Sequence, residues 1–236
     1  MSRILMVVTA ADTLVLADGT THPTGFWAEE LVVARRLLAE AGHDIVLATP
    51  GGRRPPVDPA SLNASVVGGE DRAEEFRASL EASAAWLDAP VALATIAQEE
   101  FDAIVLPGGH GPMHDLASDP DLGRILIDAN DRGALIAPFC HGPAGLLSAV
   151  TDHGRFAFGG RRMTGFTREE ELTGGLGANA PWFVTDRLSD LGAIVEDGAA
   201  WTSHVVRDRN LISGQNPQSS VAVAEAVNAA LSSRSR

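Results

Sequence analysis

The sequence predicts an α/β protein in which helices cover both faces of a mostly parallel sheet. Short apolar runs recur along the 236 residues, and helical segments separate them over short connections. Several of these runs are continuously apolar rather than alternating, which is typical of strands buried on both faces. Because no repeat or long linker divides the chain, we expect a single domain over 1–236 with a flavodoxin-like three-layer sandwich fold.

Four apolar runs are predicted to be strands of this sheet, and a hairpin follows them. The strands are Arg3–Thr9, Asp44–Thr49, Asp102–Leu106 and Ala134–Phe139. The hairpin joins Trp201–Val206 to Asn210–Gly214 and is expected to turn at Asp208-Arg209. Each run is bounded by polar residues, glycine or proline, as strands usually are.

Helices are predicted between the strands. The first has Thr24 as a candidate N-cap and continues to Ala41, with one apolar stripe and Gly42 after its end. The others are Ala73–Leu87, Pro120–Asp131, Pro143–Val150, Glu169–Thr173, Pro181–Leu191 and Pro217–Leu231. The proline-rich segment Arg53–Asn63 is interpreted as an ordered loop.

Composition excludes several classes of partner. The formal net charge of −13 works against binding to nucleic acid or to an anionic membrane, since both require basic patches. The apolar runs are also too short to span a bilayer. Cys140 is the one cysteine, so no disulfide can form within the chain, and we expect a reducing, cytoplasmic location.

Cys140 lies where a predicted buried strand passes directly into a predicted helix. Such a connection is tight and projects its central residue outward, as in a nucleophile elbow, and Gly142 would permit close packing two residues later. The N-terminus of the following helix is expected to favour the thiolate. The alternative is a buried cysteine that acts as a small apolar residue. The neighbouring His141-Gly142-Pro143 favours the elbow.

Two further features lie at predicted strand ends. His141 is either a general base or the first polar residue of the helix. Gly108 and Gly109 offer backbone N–H groups for an oxyanion site, or they form a simple turn that needs positive φ. His110 and His114 have a spacing that suits metal ligands in a helix. However, Gly111-Pro112 interrupts any helix there and no third ligand is evident, so no metal is expected.

Two acidic clusters have both a functional and a structural interpretation. Of Glu29 and Glu30, one is expected to face solvent and the other the sheet. The run Glu169-Glu170-Glu171 is typical of a charged first helical turn, where acidic side chains are favourable. Residue types alone leave both interpretations open.

Five motifs occur along the chain in an order that resembles the ThiJ/PfpI superfamily, which has the class I glutamine amidotransferase-like fold. They are Gly25-Phe26-Trp27-Ala28-Glu29-Glu30, Pro107-Gly108-Gly109-His110-Gly111, Cys140-His141-Gly142-Pro143, Thr164-Gly165-Phe166-Thr167 and Gly214-Gln215-Asn216-Pro217. The chain looks most like the glyoxalase III and stress-chaperone branch, over nearly its whole length.

The resemblance implies a role for each candidate residue. Cys140 would be the nucleophile and His141 its partner in a Cys-His-acid triad. Motif spacing selects Glu30 over Glu29, and it selects Glu171 as the triad acid. Backbone N–H groups of Gly109 and His141 would form the oxyanion and substrate-binding site.

The resemblance also implies an activity. It is a glutathione-independent glyoxalase, a lyase that converts the 2-oxoaldehyde methylglyoxal to D-lactate through a cysteine hemithioacetal, without cofactor or metal, in a homodimer. A carboxyl in a partly apolar cleft can stay protonated, so we expect Glu30 to be protonated near neutrality and hydrogen-bonded to Cys140. The alternatives are a redox-sensing or holdase-type stress protein, and an amidase, peptidase or protein deglycase that uses the same thiol.

The sequence departs from the family pattern in two places. Pro138 stands where a small residue is usual before the elbow. The segment 63–99 matches no motif of the family, and its side chains are candidates for lining the pocket and selecting the substrate.

Overall fold

A seven-stranded sheet lies at the centre of the computed structural model, which describes residues 1–96 and 99–234. The strands are β1 (Arg3–Val7), β2 (Thr13–Val15), β3 (Thr21–Pro23), β4 (Asp44–Thr49), β5 (Val91–Ala92), β6 (Ala103–Leu106), β7 (Leu135–Pro138), β8 (Arg162–Met163), β9 (Ile194–Val195), β10 (Val205–Asp208) and β11 (Leu211–Gly214). The helices are α1 (Ala28–Glu40), α2 (Ala64–Val67), α3 (Glu70–Ala82), α4 (Ala84–Leu87), α5 (Leu93–Ile96), α6 (Pro120–Arg132), α7 (Arg168–Gly174), α8 (Val184–Asp190) and α9 (Ser220–Arg234).

The central sheet has the strand order β10-β11-β7-β6-β1-β4-β5, and only β10 and β11 pair antiparallel. Ile4 and Met6 of β1 belong to one apolar cluster with α1 and α9, whereas Leu5 and Val7 belong to a second with α6 and α8. Successive side chains of a strand face opposite sides of the sheet, so the two clusters cover its two faces. The predicted three-layer, mostly parallel sandwich is therefore confirmed.

The four predicted strands are confirmed as β1, β4, β6 and β7, each within two residues of its expected bounds. The hairpin is confirmed as β10 and β11, but it begins later than expected, at Val205, and it turns at Arg209 and Asn210. Arg209 adopts a left-handed backbone with φ 53°, which fits such a tight reversal. No helix among the described residues has the length and apolarity to cross a membrane.

The prediction that Thr24 caps the first helix is wrong, because α1 begins at Ala28. The preceding residues are held in an extended conformation by neighbouring loops. Phe26 exchanges backbone hydrogen bonds with Pro56 and Asp58, and Trp27 N–H donates to the Gly108 carbonyl at 3.0 Å. These bonds delay the helix, and Thr24 instead donates its hydroxyl to Asp58.

Two other helix predictions need correction. The single helix expected over Ala73–Leu87 is divided into α3 and α4 at Ser83, whose hydroxyl donates back to the Ser79 carbonyl at 2.8 Å. Such bonds compete with regular helical bonding and bend helices. The helix expected over Pro143–Val150 is a 3-10 helix over Gly142–Ser148.

The remaining predicted segments shift only at their ends. The observed counterparts are α6 for Pro120–Asp131, α7 for Glu169–Thr173, α8 for Pro181–Leu191, and α9 with a preceding 3-10 turn at Pro217–Ser219 for Pro217–Leu231. The loop Arg53–Asn63 contains a 3-10 helix at Pro59–Leu62. The described part of 63–99 forms α2, α3, α4, β5 and α5.

Gly142 permits the close approach of two neighbouring strand ends. A Cβ at this position would lie 2.0 Å from the carbonyl oxygen of Leu106, at the end of β6. Backbone atoms cannot yield as a flexible side chain does, so the turn after β7 fits against β6 only with glycine here.

We predict that Gly142→Ala lowers the free energy of unfolding by about 1–3 kcal/mol, because it overpacks backbone against backbone. Urea unfolding measures the change. Gly159→Ala is the matched control, since its Cβ would meet other atoms only at 3.5 Å or more. Equal stability of the two variants would contradict the steric argument.

Candidate active site

Cys140 occupies a strained turn directly after β7. Its φ is 55°, a left-handed conformation that is uncommon for a residue with a side chain. The Cys140 N–H donates to Gly214 O at 3.0 Å, and its carbonyl accepts from Phe166 N at 2.8 Å. The thiol is 3% exposed and faces a cavity. This is the nucleophile-elbow geometry that the sequence predicts.

The turn brings His141 into the same cleft as Cys140. Cys140 Sγ lies 3.4 Å from His141 Nδ1, and His141 Nε2 lies 2.6 Å from Glu171 Oε2. The His141 ring packs on Phe166 with 4.5 Å between ring centroids. The structure thus places the three residues of the expected Cys-His-acid triad in one hydrogen-bonded row.

Only one residue of the run 169–171 reaches this row. Glu169 is exposed, Glu171 is 2% exposed beside His141, and Glu170 is fully buried. The interpretation as a charged, solvated helical turn therefore holds for Glu169 alone.

Glu170 stabilises the start of α7 and ties this helix to neighbouring loops. The sequence analysis did not predict this structural role. Its Oε2 accepts from both the N–H and the hydroxyl of Thr167, which completes a capping box. Its Oε1 accepts from Trp201 N–H, Gln215 and Asn216 at 2.7–3.1 Å. Gln215 and Asn216 belong to a motif noted only for its family resemblance. The structure gives this motif a physical role, because the side-chain amides of Gln215 and Asn216 donate hydrogen bonds to the buried carboxyl group of Glu170.

His110, which the sequence analysis considered only as a metal ligand, is a second residue whose place in the site was not predicted. Its Nε2 lies 3.0 Å from Glu171 Oε1 and 3.3 Å from Oε2, and its ring packs against that of His141, tilted by 44° with 4.1 Å between ring centroids. His114, the partner suggested by spacing, is exposed on the following loop. The useful signal was the position of His110 after Gly108-Gly109 at a strand end, rather than its distance from another histidine.

Burial keeps the imidazole of His141 in its neutral form at neutral pH. Burial and, next in size, the effect of His110 lower the pKa of His141 to about 4, while Glu171 acts in the opposite direction. Burial alone would raise the pKa of Glu171, but the two histidines hold it well below its usual range. An ionised carboxylate only accepts hydrogen bonds, so His141 carries its proton on Nε2 and presents the Nδ1 lone pair to the thiol.

The expectation of a thiolate at Cys140 is wrong for the free protein. Burial, with added repulsion from Glu30, raises the pKa of the thiol well above its ordinary value of 9.0. The backbone N–H groups of Gly109 and His141 oppose this effect without reversing it. The element that follows is a seven-residue 3-10 helix rather than the expected α-helix.

Those two N–H groups are also the expected oxyanion site. Both act on the Cys140 sulfur, and neither donates to a backbone carbonyl within the described part of the chain. Gly109 is required here, because its φ is +87° and a Cβ would lie 2.3 Å from Gly25 O. Both donors therefore remain available for an oxygen bound next to the sulfur.

Glu30 and Glu29 point in different directions from the first turn of α1. Glu30 is fully buried, and its Oε2 accepts from Gly108 N–H at 2.6 Å. Burial raises its pKa to about 8, against smaller opposing effects of the Cys140 thiol and Gly108 N–H. The carboxyl is therefore mostly protonated at neutral pH, as expected. Glu29 lies at the cavity and pairs with Arg72 at 2.5 Å.

A hydrogen bond between Glu30 and Cys140 is expected, but none of regular geometry is found among the described residues. The thiol contributes a hydrogen-bonding effect to the pKa of Glu30. Nevertheless, Glu30 Oε1 is buried without a well-aligned partner among the described residues. This buried oxygen consequently keeps its hydrogen-bonding capacity for another partner in the site.

A cavity of about 160 Å³ opens above the thiol. Its floor includes Cys140, His141, His110 and Gly109, and its walls include Trp27, Glu29, Phe166 and Trp201. Val66, Val67 and Arg72, from α2 and α3, complete the lining. The prediction that segment 63–99 contributes to the pocket is confirmed by these three residues.

The donor set of the site does not fit a metal. Within residues 1–96 and 99–234, one group of three candidate ligands has its ligand atoms within 4.8 Å of one another: His110, His141 and Glu171. Both Nε2 atoms donate protons to the carboxylate, so they offer no lone pair to an ion. Hydrogen bonding accounts for the cluster.

The arrangement suits addition of sulfur to a carbonyl group. His141 can take the thiol proton, two N–H groups can bind the resulting oxyanion, and a protonated carboxyl lies under the same sulfur. The three functions converge on one small cavity.

We predict that Glu30 makes folding stability fall as pH rises from about 4.5 to 8. The unfolded carboxyl ionises near its ordinary pKa of 4.5, whereas the folded one keeps its proton until about pH 8. The difference in free energy of unfolding between wild type and Glu30→Gln should change by about 1.4 kcal/mol per pH unit in this window. Urea unfolding at several pH values measures it. Glu169→Gln should follow wild type, and a pH-independent difference for Glu30→Gln would contradict the raised pKa.

Both the sequence and the fold are similar to those of known proteins. The family model described as the DJ-1/PfpI family matches residues 20–230. Glutamine amidotransferase-like class 1 domain-containing protein 1 of Bos taurus is 32% identical over 185 residues, which cover 78% of this chain and 79% of that protein. Protein/nucleic acid deglycase HchA of Staphylococcus aureus is 28% identical over 244 residues, which cover 96% and 80%. Glyoxalase III of Candida albicans has a similar fold, with a TM-score of 0.75 at 24% identity over 97% of each chain. Because the family model spans most of the chain, and a curated relative is more than 30% identical, this protein belongs to the DJ-1/PfpI family.

Proposed function

We propose that the protein is a glutathione-independent glyoxalase that converts methylglyoxal to D-lactate through a hemithioacetal on Cys140. The observation that carries the proposal is the protonated Glu30 carboxyl beneath the thiol, opposite the neutral base His141. An internal redox reaction of a 2-oxoaldehyde needs both a nucleophile and a group that moves protons between adjacent carbons. The family includes proteins with glyoxalase III and deglycase names, which supports an enzyme of this kind.

The first step joins substrate and sulfur. His141 Nδ1 takes the Cys140 thiol proton as sulfur adds to the aldehyde carbon of methylglyoxal. The new oxyanion binds the N–H groups of Gly109 and His141 and then receives the proton held by His141. Glu171, bonded to Nε2, stabilises the imidazolium while it exists.

The next steps move hydrogen from one carbon to the other. Glu30 donates its proton to the adjacent carbonyl oxygen while its other oxygen removes the proton from the hemithioacetal carbon, which gives an enediol. Glu30 then delivers that proton to the neighbouring carbon while its other oxygen takes the hydroxyl proton of the sulfur-bearing carbon, which leaves a thioester of the 2-hydroxy acid and a protonated Glu30. Water, deprotonated by His141, hydrolyses the thioester to lactate and restores the thiol. The balance is one methylglyoxal and one water for each lactate.

A protein deglycase on the same site is a second candidate. The cavity mouth includes Val66, which is 52% exposed, and Trp201, which is 40% exposed. An exposed apolar rim of this kind suits a substrate attached to a protein chain. The redox-sensor alternative fits less well, because sensor thiols are accessible and have a low pKa.

We predict that purified protein forms D-lactate from methylglyoxal without glutathione, measured with a D-lactate-specific assay. Cys140→Ala should abolish the activity, and Glu30→Gln should lower kcat by about 10²- to 10⁴-fold, because it removes the proton shuttle. Glu171→Gln should also be impaired, whereas the exposed neighbour variant Glu169→Gln should match wild type. Folded wild-type protein without activity would refute the proposal, and activity in Cys140→Ala would refute any thiol mechanism. Release of lactate from a methylglyoxal-treated peptide, but not from free methylglyoxal, would favour the deglycase.

Two expectations stay predictions: a homodimer, which the family resemblance implies, and a cytoplasmic location, which the single cysteine favours. Light scattering of the purified chain measures the first of these.

A further inference from the structure

Glu171 binds two imidazoles rather than one. His141 Nε2 lies 2.6 Å from Oε2, while His110 Nε2 lies 3.0 Å from Oε1 and 3.3 Å from Oε2. Leu176 N–H donates to Oε1 at 2.6 Å. Glu171 and His141 are 2% exposed and His110 is 8% exposed, so water does not screen these contacts. A Cys-His-acid triad alone needs only the bond from His141.

The two oxygens of the carboxylate have different partners. Oε1 accepts from Leu176 and His110, and Oε2 accepts its shortest bond from His141. A carboxylate can rotate about its terminal torsion, which has a broad energy minimum. Two donors on Oε1 fix this torsion and leave Oε2 directed at His141.

We propose that His110 is a positioning residue for the proposed reaction: it orients the Glu171 carboxylate toward His141 and, by sharing its charge, makes the proton taken from Cys140 easy for His141 to return. The inference rests on the proposed function for its catalytic part. Its electrostatic part concerns His141 in the free protein and does not require turnover.

Sharing of the Glu171 carboxylate between two imidazoles changes the pKa of His141 in a defined direction. A carboxylate bonded to one imidazole stabilises the imidazolium more than a carboxylate shared between two. In addition, His110 lowers the pKa of His141 directly through its own charge, an effect second only to that of burial. Loss of His110 should therefore raise the pKa of His141 and hold its proton more tightly.

Other ionisable groups also face the two histidines. They are Cys140 with Glu30 below it, Glu170 and Glu171 of α7, and Asp58, whose carboxylate form His110 stabilises. A substitution at position 110 leaves these residues in place but removes the effect of His110 on the pKa values of Asp58 and Glu171. Because Glu171 bonds both imidazoles, a change in the His141 titration reports on this shared carboxylate.

The test compares His110→Ala, His110→Gln and the exposed control His114→Ala with wild type. Titration of ¹⁵N-histidine signals by NMR measures the pKa of His141, and His141→Gln assigns its signal. In His110→Ala this pKa should rise by about one unit or more, and kcat for D-lactate formation should fall about 10- to 100-fold with little change in KM. His110→Gln, which keeps an N–H donor for Oε1, should recover most of kcat, and His114→Ala should match wild type in both measurements.

Two results would overturn the inference. One is a His141 titration in His110→Ala identical to wild type. The other is an equal loss of kcat in His110→Gln and His110→Ala, which would show that the donor to Oε1 is irrelevant. If His110→Ala does not fold, His110→Gln with His110→Leu decides the same question. If wild type forms no D-lactate, the proposed function fails, while the NMR titration still decides the role of His110.

Discussion

Cys140 adopts its left-handed backbone because hydrogen bonds hold it from both sides: its N–H bonds Gly214, and its carbonyl accepts from Phe166. A conformation of this kind costs about 1–3 kcal/mol, so the surrounding structure must stabilise it. The rest of the site follows from this turn. It directs His141 into the same cleft as its neighbour in sequence, and it brings Gly142 against the end of β6. Because Gly214 ends β11 and Phe166 lies before α7, the turn also ties distant parts of the chain to the sulfur.

Three buried glutamates surround this turn, and their surroundings give them different roles. Glu30 receives one backbone N–H beside a buried thiol, and its pKa rises to about 8. Glu171 lies between two imidazoles, which hold its pKa well below the usual range. Glu170 accepts hydrogen bonds from five donors and anchors α7. One residue type thus provides a protonated carboxyl, an electrostatic partner of two imidazoles and a structural support, as burial and hydrogen bonding dictate.

The sequence allowed the sheet to be predicted well, because continuous apolar runs indicate buried strands whatever their partners. The elbow at Cys140 could be predicted for a related reason, because the buried strand before it and Gly142 after it are adjacent to it in the sequence. Glu30 and Glu171 came from motif spacing in related proteins, because residue types alone did not distinguish them from their neighbours.

The features that the sequence could not predict depend on contacts between residues far apart along the chain. The start of α1 depends on hydrogen bonds to loops around Pro56 and Gly108, not on Thr24. The thiol pKa depends on burial, which no motif records, so the expected thiolate was wrong. His110 joined the site through Glu171, 61 residues away along the chain. Its spacing from His114 suits two metal ligands on one helix, but Gly111-Pro112 interrupts any helix there.

The separation between α2–α3 and the rest of the site has an evolutionary consequence. These helices supply Val66, Val67 and Arg72 to the cavity wall, yet none of the residues that surround the sulfur, Glu30, His110, His141 or Glu171, lies on them. A new sequence in this segment can reshape what enters the cavity while the elbow and its proton-transfer groups stay as they are. The lining of the cavity and the groups around the sulfur can therefore vary independently in this architecture, so a change in α2 or α3 can alter the shape of the cavity without rebuilding the turn at Cys140.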